Sequence, residues 1–164
     1  LSRFDARVDE QGKMVIFEHQ NRKLWDQDLI ALGSKFLLES GTGASYCDYQ
    51  FEAAIAREYA ISKSFEDVNW MNILRVYNVM CSQSDHIVYQ LNRLVIIEKV
   101  EGVQIAYAGL LALDESKLKS NYLYYSIRSN FEKTLDIPSY KKHLQKAISL
   151  TDNQLEKDFL NTLL

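Results

Sequence analysis

Apolar residues recur every three or four positions along most of the chain, which is the spacing of one face of an α-helix. The pattern is densest over residues 70–100, where two apolar segments are separated by the turn-forming residues 82–84. We expect these segments to form the most buried pair of helices, because they are too apolar to lie on a surface. No segment alternates with a period of two over a useful length, so no sheet is predicted.

Further helices are predicted on both sides of this pair. The first spans about 22–40, with Asn21 as its N-cap. The residues expected on its inward face are Trp25, Leu29, Leu32 and Phe36. Other helices are predicted over about 47–61, 103–113 and 120–135, from Pro138 onwards, and after a capping box at 151–154.

The predicted fold class is all-α, built from stacked antiparallel helix pairs. An apolar pattern in the helix at 103–113 returns in the helix after Pro138, at an interval close to the ~34-residue period of tetratricopeptide repeats. The residues that follow the opening spacing of that repeat are Trp70, Ile73, Leu74 and Tyr77. The expected architecture is therefore a tetratricopeptide-like α-α superhelix with degenerate repeats and an irregular N-terminal arm.

Residues 1–21 are predicted to form an extended arm or hairpin, followed by a single helical-repeat-like domain over 22–164. A turn at 9–12 lies between two short apolar segments, and Gly12 can adopt the positive φ that such a turn usually requires. A second interpretation makes residues 1–7 the end of a helix that begins upstream. Because the sequence opens on Leu1 and its first Met is Met14, we expect a fragment of a longer protein.

Composition and charge narrow the possible functions. The chain has 164 residues, of which 47% are hydrophobic and 25% charged, as in an ordinary globular domain. Its net charge of −3 has the wrong sign for a freestanding binder of nucleic acid or anionic membranes. Cys47 and Cys81 fall within apolar helical patterns, so we expect buried thiols in a reducing compartment. With no signal peptide and no apolar run approaching ~18 residues, the expected location is the cytoplasm.

No local motif predicts catalysis, a metal site or a bound cofactor. The histidines fit no metal-binding spacing, and they are His19, His86 and His143. Gly-rich phosphate loops and nucleophile elbows are absent from the sequence. One predicted helix face carries Lys141, Lys142 and Lys146, which could meet phosphates, although nearby acidic residues favour an ordinary solvated face. The pattern alone predicts a helical interaction module that is not an enzyme.

Four stretches go beyond helical periodicity. They are FDARVDEQGKMVIFEHQNRKLWDQDLI, YQFEAAIA, VYQLNRLVIIEKVEG and AISLTDNQLEKDFL. Together they resemble the C-terminal, tetratricopeptide-like extension of bacterial extracytoplasmic-function sigma factors, over nearly the whole chain. The most specific positions are Ala6-Arg7, Asp9, Gly12, Gln20-Asn21-Arg22 and Trp25-Asp26. The family usually has an acid where this chain has Asn21, a departure that keeps the capping role.

The resemblance implies that the chain regulates transcription initiation through contacts with its own upstream sigma core or with RNA polymerase. The sigma domains that bind polymerase and read promoters have no counterpart in this sequence, so no DNA-contacting residue is carried over and DNA binding belongs to those absent domains. The candidate interaction residues near the start of the chain are Arg7, Asp9, Gln20, Arg22, Trp25 and Asp26. They either contact the sigma core or only cap and clamp the first helix.

The alternative function is a freestanding helical-repeat module that binds proteins or peptides and has no role in transcription, since a fold does not fix a function. A sigma core encoded directly upstream of Leu1 would decide for the first hypothesis. An enzyme would need a deep pocket with convergent polar groups, which no motif here suggests.

The chain by itself is predicted to bind neither promoter DNA nor random duplex DNA appreciably. Its net charge is −3, and three lysines on one helix offer few phosphate contacts, so little counterion release would drive binding. Fluorescence anisotropy with labelled duplexes at physiological salt measures this affinity. Micromolar binding that weakens steeply as salt rises would contradict the prediction.

Overall fold

The computed structural model describes residues 2–42 and 46–164, except for the side chain of Glu115, and these residues form an all-α fold, as predicted. The α-helices are α1 Gln27–Ser40, α2 Asp48–Ile61, α3 Trp70–Gln83, α4 Ile87–Glu101, α5 Val103–Leu111, α6 Tyr122–Thr134, α7 Tyr140–Leu150 and α8 Gln154–Asn161. Short 3-10 turns are Phe4–Ala6, Phe17–His19, Arg22–Leu24 and Glu115–Lys117. None of the helices in the described ranges is long and apolar enough to cross a membrane.

The chain divides into two compact units, Leu1–Met80 and Cys81–Leu164, with the boundary inside α3. In the first unit α1 packs on α2. In the second unit α4 packs on α5 and α6, α5 on α6, α6 on α7, and α7 on α8. Packing between consecutive helices agrees with the predicted helix pairs, and a single domain over 22–164 stays a prediction.

The N-terminal segment contains a hairpin with one antiparallel bridge, between Val8 and Met14. The Asp9 carboxylate accepts a hydrogen bond from the N–H of Lys13 at 2.8 Å, and Gly12 has a φ of +77°. Asp side chains stabilise turns in this way, and glycine adopts a positive φ without steric cost. The turn at 9–12 is therefore present where the sequence predicted it.

The first α-helix begins later than predicted. Asn21 caps the 3-10 turn Arg22–Leu24, whereas Asp26 is the N-cap of α1 and accepts a hydrogen bond from the N–H of Leu29 at 2.9 Å. Asn and Asp are about equally good N-caps. Periodicity does not distinguish which of the two residues starts the α-helix, and the prediction that Asn21 caps it is wrong.

The predicted inward stripe of the first helix is correct only for Trp25, which is buried but precedes the helix. The other three members are exposed, namely Leu29 by 41%, Leu32 by 47% and Phe36 by 58%. All 14 residues of α1 are described, and none is buried. The half-buried apolar residues of α1 are instead Ile30 and Leu37. The helix carries two apolar stripes, and the sequence cannot show which one packs.

The pair of helices at 70–100 does not exceed the other helices in burial, and Trp70 is only half-buried. In these fully described helices, α3 has three buried residues and α4 has four, whereas α6 has five and α7 has two, so the two pairs bury equal numbers. The single helix with the most buried residues is α6, which packs against α4, α5 and α7.

The expectation of buried thiols is wrong for Cys47. Cys47 is exposed and Cys81 half-buried, and both are free. Cys47 is the N-cap of α2, and its N–H donates to the Gln50 side chain at 2.9 Å. It therefore lies just before the first residue of α2, whereas the sequence pattern predicts it inside the helix.

The second unit contains a fully buried carboxylate, Glu132 of α6. Its hydrogen-bond partners are the Tyr107 hydroxyl at 3.0 Å, Arg128 Nε at 2.9 Å, the Ser139 hydroxyl at 2.9 Å and His143 Nδ1 at 2.7 Å. Burial raises the pKa of Glu132, but these hydrogen bonds together outweigh it and hold the pKa below its usual value. One charged side chain thus joins α5, α6 and α7.

Replacing this carboxylate by an amide, Glu132→Gln, should lower the free energy of unfolding by on the order of 3 kcal/mol at neutral pH, because Arg128 and His143 lose their charged partner. Ionisation of Glu132 stabilises the fold above the unfolded-state pKa of about 4.3, and this stability is lost as pH falls through the lowered folded-state pKa. The difference in free energy of unfolding between wild type and variant should therefore become smaller at acidic pH.

Urea unfolding of both proteins at neutral and acidic pH measures this difference in the free energy of unfolding. The matched control is Glu39→Gln, since the carboxylate of Glu39 is exposed and pairs with Lys35 at 3.8 Å. This control should change stability by less than about 0.5 kcal/mol. A Glu132→Gln protein as stable as wild type at neutral pH would show that the network contributes nothing.

Candidate interaction surface

Residues 2–26, which we call the N-terminal block, are organised around the aromatic ring of Phe17. Its centroid lies 5.7 Å from Trp25, 4.9 Å from Tyr59 and 6.0 Å from Phe65. Trp70 extends the cluster, at 5.8 Å from Tyr59 and 5.1 Å from Phe65. Tilted and edge-to-face rings at these distances stabilise a fold beyond their buried area. The cluster ties the residues before α1 to the end of α2 and the start of α3.

Arg22 lies across this cluster. Its guanidinium carbon is 4.4 Å from the Trp25 ring centroid and 5.3 Å from that of Phe17. Its Nη1 donates hydrogen bonds to the carbonyls of Tyr59 at 2.9 Å and Ser62 at 2.7 Å. Carbonyls at the C-terminal end of a helix lack intrahelical partners and favour a positive charge. Arg22 therefore clamps the end of α2, and burial lowers its pKa.

The predicted site residues fall into two groups. Arg22 and Trp25 come together in the cluster, and the half-buried Gln20 donates to the carbonyl of Val15 at 3.1 Å. The others belong to local turns and are exposed, namely Arg7 beside the hairpin, Asp9 in its turn and Asp26 at the start of α1. Contacts of these residues with a sigma core stay a prediction.

The sequence pattern does not predict the remaining members of the cluster. Arg3 lies 5.0 Å from the Phe17 centroid and 5.7 Å from that of Trp25, and Tyr59 has its pKa raised by burial to about 12. Phe65 lies in the loop before α3. These residues are distant in sequence and follow no common period. Only the recurrence of aromatic and arginine residues near the start of the chain was available as a signal.

The exposed residues Leu29, Leu32 and Phe36 lie on one face of α1, because positions three and seven apart share a helix face. We call these three residues the α1 stripe. The exposed ion pair between Lys35 and Glu39 lies on the same helix. Single exposed leucines are ordinary, but a continuous apolar stripe with charged neighbours is typical of a protein-binding surface.

A small apolar recess lies between α1 and α2, with a volume of about 240 Å³. Its lining residues are Leu37, Ser40, Tyr46, Gln50, Phe51 and Ala54. This volume is below the ~300 Å³ at which most small-molecule sites begin, so the recess fits a partner side chain better than a substrate. Among the described residues, no three His, Cys, Asp or Glu side chains are arranged to hold a metal ion.

Comparisons with known proteins match part of the chain in one case and nearly all of it in another. Residues 1–41 match the Family of unknown function (DUF6596), and this segment contains the hairpin and α1. The Uncharacterized protein R00370 of Rhizobium meliloti (strain 1021) is 29% identical over 160 residues, which are 97% of this chain. The chain spans 38% of the length of that relative. No solved structure is significantly similar to the chain described here.

The substitution Arg22→Ala should lower the free energy of unfolding by about 1–3 kcal/mol, because two carbonyls lose their hydrogen-bond donor and two rings lose a stacked cation. Arg22→Lys should recover only part of this, since an ammonium lacks the planar fork. Chemical denaturation measures both variants.

The matched control is Arg7→Ala, which removes an exposed arginine of the same N-terminal block. It should change stability by no more than about 0.5 kcal/mol. Equal stabilities for the Arg22→Ala and Arg7→Ala proteins would show that Arg22 does not stabilise the end of α2.

Proposed function

We propose that the chain is the regulatory extension of an extracytoplasmic-function sigma factor and that the α1 stripe docks on the sigma core of the same protein. The observation that carries the proposal is α1 itself, a helix with two apolar stripes of which one is exposed. The sequence resemblance supplies the class of protein. The match at residues 1–41 and the greater length of the relative are consistent with a further domain beside this segment.

The size of the stripe favours a partner in the same polypeptide. Fully burying a Leu or Phe side chain stabilises by about 1.5–3 kcal/mol, and the stripe residues are already half covered, so each adds roughly 1 kcal/mol. A total near 3 kcal/mol is less than the ~4 kcal/mol that corresponds to a millimolar Kd. A separate partner would dissociate. A tethered partner is present at roughly millimolar effective concentration, so a weak contact suffices when neighbouring residues add to it.

The charged surroundings of the stripe give the contact an orientation. Lys35 is 69% exposed and Glu39 59% exposed, and both can exchange their weak mutual pair for a partner's charges. The exposed Arg7 and Asp9 of the hairpin add polar groups within the same unit. The core of such a contact is apolar and its rim polar, which is the usual anatomy of a protein interface.

The first test is the coding sequence upstream of Leu1, where the proposal requires a sigma core. The second is promoter-specific transcription by the longer protein, by a version that lacks this chain, and by a Leu32→Glu/Phe36→Glu variant. We expect deletion of the chain to change transcription strongly in one direction. The double variant should show at least half of that change, because two apolar side chains that docking would bury become charged.

The matched control is Ile105→Glu/Leu111→Glu, which places the same charges on α5 at positions that are each 52% exposed. It should transcribe like wild type, and thermal melting shows whether both variants fold. Wild-type transcription by the stripe variant would exclude docking through α1. If deletion of the chain also has no effect, the freestanding protein- or peptide-binding module becomes the better hypothesis.

A further inference from the structure

A cleft of about 540 Å³ lies between α6 and α7 in the second unit. Its lining includes Tyr125, Arg128, Lys142, His143, Lys146 and Ser149. Three of these residues are cations, and none of the described lining residues carries a carboxylate. The chain as a whole has a net charge of −3, so this concentration of positive charge is local. A concave surface lined by one sign of charge attracts the opposite charge.

The floor of the cleft is held in place by the buried Glu132. Its carboxylate accepts hydrogen bonds from Arg128 Nε at 2.9 Å and His143 Nδ1 at 2.7 Å. The Tyr124 hydroxyl accepts a further bond from Arg128 at 2.9 Å, and the Tyr125 ring stacks on His143 with centroids 6.0 Å apart. Arg128 and His143 therefore have fixed orientations before any ligand arrives, which lowers the entropy lost on binding.

The bond to Glu132 also decides which nitrogen of His143 is left for a ligand. A carboxylate accepts hydrogen bonds, so Nδ1 is the protonated nitrogen. The other nitrogen, Nε2, makes no hydrogen bond to any residue that the structure describes.

Lys142 and Lys146 lie one turn apart on α7, and both are exposed. Neither forms an ion pair with any carboxylate in the described part of the chain. Lys141 lies on the same helix but does not line the cleft. The lysines of α7 therefore do not form one uniform solvated face, because two of the three flank a built cavity.

We infer that this cleft binds a phosphoryl group, either as free phosphate or as part of a compact phosphorylated molecule. Two ammonium groups and a guanidinium match a dianion better than they match a single carboxylate. The lining on α7 runs from Lys142 to Ser149, a rise of about 10 Å. That length and the volume fit a small ligand, whereas a bound peptide would need a longer groove. The inference is independent of the proposed role in transcription.

The test is a backbone amide NMR titration of the 164-residue chain with inorganic phosphate and with phenyl phosphate, at constant ionic strength set with chloride. Saturable shifts are expected at residues 125–128 and 142–149. The variant Lys142→Gln/Lys146→Gln should weaken binding by about tenfold or more, since each ammonium makes a charge-assisted hydrogen bond.

The control Lys119→Gln/Lys141→Gln removes the same charge from exposed lysines outside the cleft. It should retain the wild-type affinity. Tighter binding of phenyl phosphate would identify a phosphorylated organic ligand, and equal binding would identify free phosphate.

Three results would overturn the inference. The first is an absence of saturable shifts with either phosphate. The second is an equal loss of affinity in the two lysine variants, which would reduce binding to general charge attraction. The third is binding of a glutamate-rich peptide at the same residues that phosphate does not displace, which would make the cleft an acidic-peptide site.

Discussion

An ionised carboxylate can be buried only when hydrogen-bond donors surround it, and Glu132 imposes this constraint on the second unit. Its donors come from three helices and a loop, so α5, α6 and the start of α7 must meet in one arrangement for the charge to be tolerated. Apolar packing alone would accept small shifts between these helices. The carboxylate does not, because each shift would leave a buried charge with fewer partners.

The first unit meets a related requirement with the opposite charge. Arg22 supplies hydrogen bonds to carbonyls at the end of α2 and lies against the rings of Phe17 and Trp25. A guanidinium can do both because it is planar, whereas an ammonium cannot stack. The segment before α1 has little regular structure, and this contact with sequence-distant groups fixes its position. Polar groups thus specify the geometry of each unit, and apolar packing supplies most of the stability.

The helices were predictable because a 3.6-residue period reveals one apolar face. The starts of helices were less so, since Asn21 and Asp26 are comparable caps and only the fold distinguishes them. Burial was predicted least well, because Leu32 and Phe36 have the same local pattern whether or not a neighbour covers them. The burial of Glu132 cannot be predicted from its local sequence either. The residues next to it in the chain do not indicate that Tyr107 and His143 donate hydrogen bonds to its carboxylate.

The exposed α1 stripe and the cleft beside Glu132 follow different physical rules, and this separates their roles. Apolar contact is nondirectional and scales with area, so the stripe can hold a protein surface but recognises few chemical details. The cleft is small and its hydrogen-bond donors are held in fixed positions, so it can recognise a compact anion. Exposed apolar residues also favour aggregation. We therefore expect the linked partner to cover the stripe whether or not a ligand is present, whereas occupancy of the cleft can follow the concentration of its ligand.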